Sequence, residues 1–188
     1  MSGAAIRGQT GRLLRLFALM AVVTLAGCAA ISEEECHTAN WYQRGLADGS
    51  AGRASSYVDS YTRVCARAGV QVNVSSWQSG RQEGLQQYCT PDRGREEGLQ
   101  GRPYRNVCPG HLEAGFLHSY QAGRDVYDAE RELDRLDSRI NSKERQLRKA
   151  RHSRDRHSIR RTIRSLDDDA AEARYRLRRA EERLNNSY

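Results

Sequence analysis

Asp48, Glu83 and Glu97 each stand directly before a glycine, at Gly49, Gly84 and Gly98. Carboxylates held beside bare backbone could bracket a sugar ring and serve as acid and base. That chemistry needs two environments that push the pKa values of a pair apart, and no apolar surrounding in the sequence singles out a pair. A Gly-x-Ser-x-Gly elbow, a His-Glu-x-x-His helix and a Walker phosphate loop are absent. Ser50, within Asp48-Gly49-Ser50-Ala51-Gly52, is one residue out of the elbow spacing. His111, Glu113 and His118 fall within two helical turns but lack the compact spacing of a zinc helix. The expectation is a protein that is not an enzyme, with no catalytic residue, metal, cofactor or small-molecule substrate.

The cysteines carry more definite chemistry. Cys28 ends the run Leu25-Ala26-Gly27-Cys28, which follows an apolar stretch from Leu16 and the cations Arg7, Arg12 and Arg15. An apolar core of roughly 7 to 15 residues suits a secretory signal, whereas a membrane-spanning helix needs about 20. The arrangement reads as a lipobox: small residues enter a peptidase site, and the Cys28 thiol accepts a diacylglyceryl thioether. Cleavage frees its amine for further acylation, and two or more chains anchor firmly where one does not. The plainer alternative is an uncleaved apolar anchor with an incidental cysteine. Ala29 stands where aspartate would retain a lipoprotein in the inner membrane, so resemblance to bacterial lipoproteins implies lipid anchoring in the outer membrane, facing the periplasm.

Four cysteines remain: Cys36, Cys65, Cys89 and Cys108. An even number in an oxidising compartment reads as two disulfides. Three pairings are open; Cys36 with Cys65 and Cys89 with Cys108 would suit antiparallel neighbouring helices. A zinc site using His37 and His111 competes, without the close Cys-x-x-Cys spacing that structural zinc favours. Staples are needed because apolar residues between Ser32 and Gly110 are sparse. The net charge of +7 would suggest nucleic acid in a cytosolic protein. Behind a lipobox it points away from nucleic acid, towards anionic lipid, lipopolysaccharide, cell-wall polymer or a merely solvated surface.

The elements that would position these groups are helical. Ser32 and Glu35 have capping-box spacing. Helices are expected near Trp41 to Gly52, Ser56 to Ala68, Ser76 to Tyr88 and Asp92 to Gln100, with Val70, Val72 and Val74 either a short strand or an extended connection. An aromatic followed by spaced glycines recurs: Trp41, Gly45, Gly49; then Trp77, Gly80, Gly84; then Gly94, Gly98 without tryptophan. Phe116, Tyr120 and Gly123 give a looser echo. Glycines four apart share a helix face, and each costs about 1 kcal/mol relative to alanine, so close approach of a second helix is the expected compensation. Gly69, Gly101 and Gly110 read instead as loop or cap positions. The residues Trp41-Tyr42-x-x-Gly45-x-x-Asp48-Gly49, Trp77-x-x-Gly80-x-x-x-Gly84-Leu85-x-x-Tyr88-Cys89 and Tyr104-x-x-x-Cys108 resemble domain of unknown function 2799, a family of bacterial lipoproteins, over roughly Cys36 to Tyr127. The resemblance implies no activity.

Beyond it, apolar residues step by three and four along two arms, from Val126 to Leu147 and from Ile159 to Leu184, which are heptad seams. Folding at His152 to Arg154 pairs Val126 with Ala180, Leu136 with Ala170, Ile140 with Leu166 and Lys143 with Ile163, the two numbers of every pair giving one constant total. The fold class expected is mainly α: a small disulfide-stapled helical domain followed by an antiparallel coiled-coil helical hairpin. Its parts are a lipoprotein signal peptide (1–27), a lipidated tether (28–35), the glycine- and cysteine-containing domain (36–122) and the hairpin (123–188). The function expected is structural or partner-binding in the bacterial envelope, the membrane engaged through lipid on Cys28 and an envelope protein or peptidoglycan through the hairpin. The alternative is a protein that binds or cleaves peptidoglycan with carboxylates of the glycine-rich domain.

Overall fold

The structure, a computed structural model, describes residues 31–186; Cys28 and the expected signal lie outside the described residues. The described residues form an all-helical fold, and no strand occurs among them. Among the described residues seven α-helices follow in order: α1 (Glu33–Thr38), α2 (Trp41–Ser50), α3 (Val58–Arg67, entered through a 3-10 turn at Ser55–Tyr57), α4 (Val74–Tyr88), α5 (Pro91–Leu99), α6 (Gly110–Lys149) and α7 (Ser153–Asn185). Val74 opens α4, so Val70 and Val72 belong to an extended connection. The helix starts are chemically explicit. Asn40, Asn73 and Thr90 each accept a backbone N–H three residues on, which satisfies an otherwise orphaned donor.

The chain forms two compact units. The first comprises described residues 31–38 and 59–72. Its capping box is closed in both directions, with Ser32 N donating to Glu35 Oε2 at 2.8 Å and Glu35 N donating to Ser32 Oγ at 3.2 Å. The buried Cys36–Cys65 disulfide ties α1 to α3 with Cα atoms 5.5 Å apart, and Arg67 pairs with Glu33. Closing a loop of 29 residues removes unfolded-state entropy of about 3 to 4 kcal/mol.

The second unit comprises residues 39–58 and 73 onwards, and is built from two glycine-lined helix pairs. In α2 and α4, a Cβ on Gly45 would lie 2.0 Å from the Trp77 carbonyl oxygen, and one on Gly49 2.2 Å from that of Arg81. Reciprocally, a Cβ on Gly80 would meet the Tyr42 oxygen at 2.0 Å, and one on Gly84 the Leu46 oxygen at 2.2 Å. Both partners advance by four together, so the helices run parallel with backbones in direct contact. In α5 and α6, a Cβ on Gly94 would lie 2.3 Å from the Phe116 carbonyl oxygen, one on Gly98 2.2 Å from that of Tyr120, and one on Gly123 2.6 Å from that of Arg95. That pair is parallel as well. The Cys89–Cys108 disulfide fastens the end of α4 to the approach to α6, over a cluster of Leu85, Tyr88 and Phe116 with Tyr104 and Tyr120 packed against it.

α6 continues without a break through residues 122–123, so the end of the glycine-rich segment and the first arm of the tail are one helix, about 60 Å long at 1.5 Å per residue. α7 returns along it. Leu136 clusters with Leu166, Ala170 and Ala173, Val126 with Ala180 and Leu184, and Arg183 reaches Asp125 at 3.1 Å.

A methyl group at Gly80 has no space, whereas at Gly110 nothing lies within 4 Å. Gly80→Ala should therefore lower stability by about 2 kcal/mol through overpacking, despite its better helix propensity. Gly110→Ala should leave stability unchanged or raise it. Thermal melts of the two variants, followed by circular dichroism, check the contrast.

Candidate functional site

Each glycine-lined pair ends in the same device. The segments Gly45-Leu46-Ala47-Asp48-Gly49-Ser50-Ala51-Gly52-Arg53 and Gly94-Arg95-Glu96-Glu97-Gly98-Leu99-Gln100-Gly101-Arg102 share the pattern Gly-x-x-acid-Gly-x-x-Gly-Arg. In both, the helix terminates at a left-handed glycine, Gly52 at φ 63° and Gly101 at φ 67°. The Arg53 and Arg102 amides close back onto the Asp48 and Glu97 carbonyls at 2.9 and 3.0 Å, and the Gly52 and Gly101 amides onto Gly49 and Gly98. This is the Schellman closure, which needs a residue tolerant of positive φ.

A tyrosine ring seals each glycine. A Cβ on Gly52 would penetrate the Tyr88 ring, and one on Gly101 the Tyr127 ring. From the parallel helix an arginine holds the turn, Arg81 donating to the Arg53 carbonyl at 2.9 Å and Arg124 to the Gly101 carbonyl at 2.7 Å. Burial lowers the Arg81 pKa, Asp48 opposing it in part.

Two of the three carboxylates considered for chemistry, Asp48 and Glu97, are held within this device. Asp48, 5% exposed, accepts from Trp77 Nε1 at 2.9 Å and pairs with Arg53 at 3.1 Å. Glu97 is buried between Arg102 at 2.9 Å and Arg93 at 3.3 Å. Glu83 accepts the Tyr42 hydroxyl hydrogen bond, which raises the tyrosine's pKa together with desolvation and the carboxylate charge. Asp48 and Glu97 thus serve their own turns, while Glu83 is exposed beside Tyr42. Glu113 accepts from the Tyr104 hydroxyl at 2.9 Å. The four cysteine sulfurs are joined as Cys36–Cys65 and Cys89–Cys108, which removes them as thiolate ligands. Among the described residues no group of three or more His, Cys, Asp or Glu could hold a metal ion.

Inspection of single residues overlooks Arg53, Arg102, Tyr127 and Arg124. The signal that would find them is the repeated acid-Gly-x-x-Gly-Arg spacing, in which the arginine lies five residues after the acid.

Two outcomes follow. Asp48→Ala leaves the buried Trp77 N–H unpaired and should cost about 2 to 3 kcal/mol, read as a shift in the urea midpoint. Burial pushes the Tyr88 and Tyr104 hydroxyls above the ordinary tyrosine range, helped at Tyr88 by Glu97 and at Tyr104 by Glu113. A pKa raised in the folded state contributes stability that is fully present below the unfolded value, about 10, and lost as pH rises through the folded value. Denaturant titrations across that range should show stability falling with pH, and Tyr88→Phe should flatten the fall.

No curated protein matches this chain, and no solved structure matches it. Residues 40–125, which contain both Gly-x-x-acid-Gly-x-x-Gly-Arg segments, match the family described as Protein of unknown function (DUF2799).

Proposed function

We propose that this is a bacterial lipoprotein held on the outer membrane by acylated Cys28 and facing the periplasm, with a non-catalytic, structural or partner-binding role in the envelope. The observation that carries the non-catalytic reading is the commitment of Asp48 and Glu97 to Trp77 and arginine partners within the glycine-lined turns. A general acid or base must reach its substrate proton, and both carboxylates are buried against groups that belong to the fold. The two disulfides suit an oxidising compartment, and the lipobox supplies the export route. No helix among the described residues is long and apolar enough to cross a membrane, so in this reading attachment falls to the lipid.

α6 and α7 then act as an antiparallel coiled-coil hairpin that presents a surface to an envelope protein or to peptidoglycan. Its seam is the cluster of Leu136, Leu166, Ala170 and Ala173, continued by Val126, Ala180 and Leu184. Alanine opposite larger residues lets the helices approach closely.

In cells, Cys28→Ser should move the protein from the membrane fraction to the soluble periplasmic fraction, and mass spectrometry of the unaltered protein should find an acylated amino-terminal cysteine. An intact, unlipidated amino terminus on the native protein would overturn the proposal.

A further inference from the structure

The charge of this molecule is concentrated at one end of the α6–α7 helix pair. Residues 143–164 hold ten Lys or Arg, eight of them Arg, against Glu144 and Asp155 alone. That local excess is larger than the +7 of the whole chain, so the remainder is close to neutral. The ion pairs of the two helices lie elsewhere: Arg124–Asp128, Arg131–Asp134, Arg135–Glu132, Arg174–Asp137, Arg176–Glu172 and Arg183–Asp125. Among the described residues no ion pair falls within 143–164. Arg156 turns inward to the Leu147 and Ala150 carbonyls and holds the turn, while most of the other cations are exposed.

Helix energetics do not account for this placement. Arg148 and Lys149 sit favourably at the carboxyl end of α6, but Arg151, Arg154 and Arg156 crowd the amino end of α7, where the helix dipole repels cations. The apolar seam is also left open here. No residue of 143–164 is buried, and Leu147, Ile159 and Ile163 are half-covered. Leu147 and Ile163 floor an open groove of about 530 Å³ whose edge carries His157, Arg160 and Arg164, with Glu144 beside them.

We propose that this tip is a docking surface for anionic phospholipid headgroups at a bilayer. Arginine pairs bidentately with phosphate oxygens, and an aliphatic floor beside those cations matches the glycerol and upper acyl carbons that accompany a lipid phosphate. The carboxylates of peptidoglycan would answer the charge and leave the floor uncovered. Single-stranded nucleic acid is bound through stacking on aromatic rings, and 143–164 contains no Phe, Tyr or Trp. The inference goes beyond the partner reading above and does not depend on acylation of Cys28.

The test uses residues 29–188, which keep every described residue and lack Cys28. Sedimentation with vesicles of phosphatidylglycerol and phosphatidylcholine in equal parts should show binding that weakens as salt rises, with none to phosphatidylcholine alone. Each cation near an anionic leaflet raises partitioning by about fivefold. The combined replacement Arg148→Ser, Arg151→Ser, Arg160→Ser and Arg164→Ser should therefore reduce binding by more than about tenfold. A control with the same loss of charge, Arg131→Ser, Arg135→Ser, Arg174→Ser and Arg178→Ser, should bind nearly as well as the unaltered chain. Soluble glycerophosphate in excess should compete poorly, since it offers single phosphates without a surface. Equal loss in both variants, binding indifferent to salt, full displacement by glycerophosphate, or tighter binding to a DNA duplex or to peptidoglycan sacculi would overturn the proposal. The salt dependence is read on the unaltered chain, so misfolding of a variant does not shield the inference.

Discussion

The structure depends on backbone meeting backbone across bare glycine. Where α2 crosses α4, and again where α5 crosses α6, glycine Cα positions face carbonyl oxygens of the neighbouring helix at a separation that leaves no volume for a methyl group. Such contact forfeits the apolar side-chain area that normally joins helices and accepts the helix-propensity loss of several glycines. Dense dispersion contact between closely approaching backbones and the disulfides then carry a larger share of the stability. The rest of the unit is arranged to keep the helices from separating. A buried acid, an arginine and a tyrosine lock the end of each crossing, and the Cys89–Cys108 bond clamps the stretch between them.

That arrangement explains why acidic residues stand next to glycines. At the last turn before a left-handed glycine, an acidic side chain lies close to the arginine that follows the turn and to the neighbouring helix. Asp48 meets Arg53 and the Trp77 indole, and Glu97 meets Arg102 and Arg93. The same spacing that invites a catalytic reading is what a clamp for a tight helix crossing requires. Truncating one member of such a buried pair is costly because it strands the other, which makes the device hard to dismantle piecemeal.

Much of this was legible from residue types. Asn40, Asn73 and Thr90 announce helix starts, Gly69 and Gly101 announce turns and take positive φ, and glycines four apart announce a close helix face. Orientation was not legible. Adjacent helices in sequence usually pack antiparallel, yet the four glycine segments pair first with second and third with fourth in parallel, because the connections through 51–73 and 100–109 return the chain to its starting end. Both disulfides join the expected cysteines, although the glycine-lined crossings beside Cys89–Cys108 run parallel and are not antiparallel hairpins. Helix ends shifted by one or two residues for local reasons: Val74 follows the Asn73 cap directly, and α2 stops at Ser50 so that Gly52 can turn. The duplicated acid-Gly-x-x-Gly-Arg pattern was present in the letters, but it gains meaning only once both copies are seen to close the same kind of turn.

The same physics separates the two halves of α6. Up to Gly123 it is held by glycine contacts against α5, with the Glu113 carboxylate accepting from the Tyr104 hydroxyl and the Tyr120 hydroxyl donating to the Arg102 carbonyl. From Val126 onward it is held by aliphatic layers against α7, with arginine and carboxylate paired along the surface. Past Ile140 both kinds of closure fade together: the seam residues are no longer buried and the cations no longer meet acids. A helix pair selected only for its own stability would taper its charge and finish with a well-capped turn, whereas here His152 precedes α7 without capping it through its side chain, and cations crowd the helix's amino end. Self-repulsion at that end weakens the isolated molecule, so its persistence in the design is accounted for by an external anion that neutralises it. The stability of the base, supplied by the glycine crossings and the Cys89–Cys108 bond, is what allows the tip to remain so poorly satisfied.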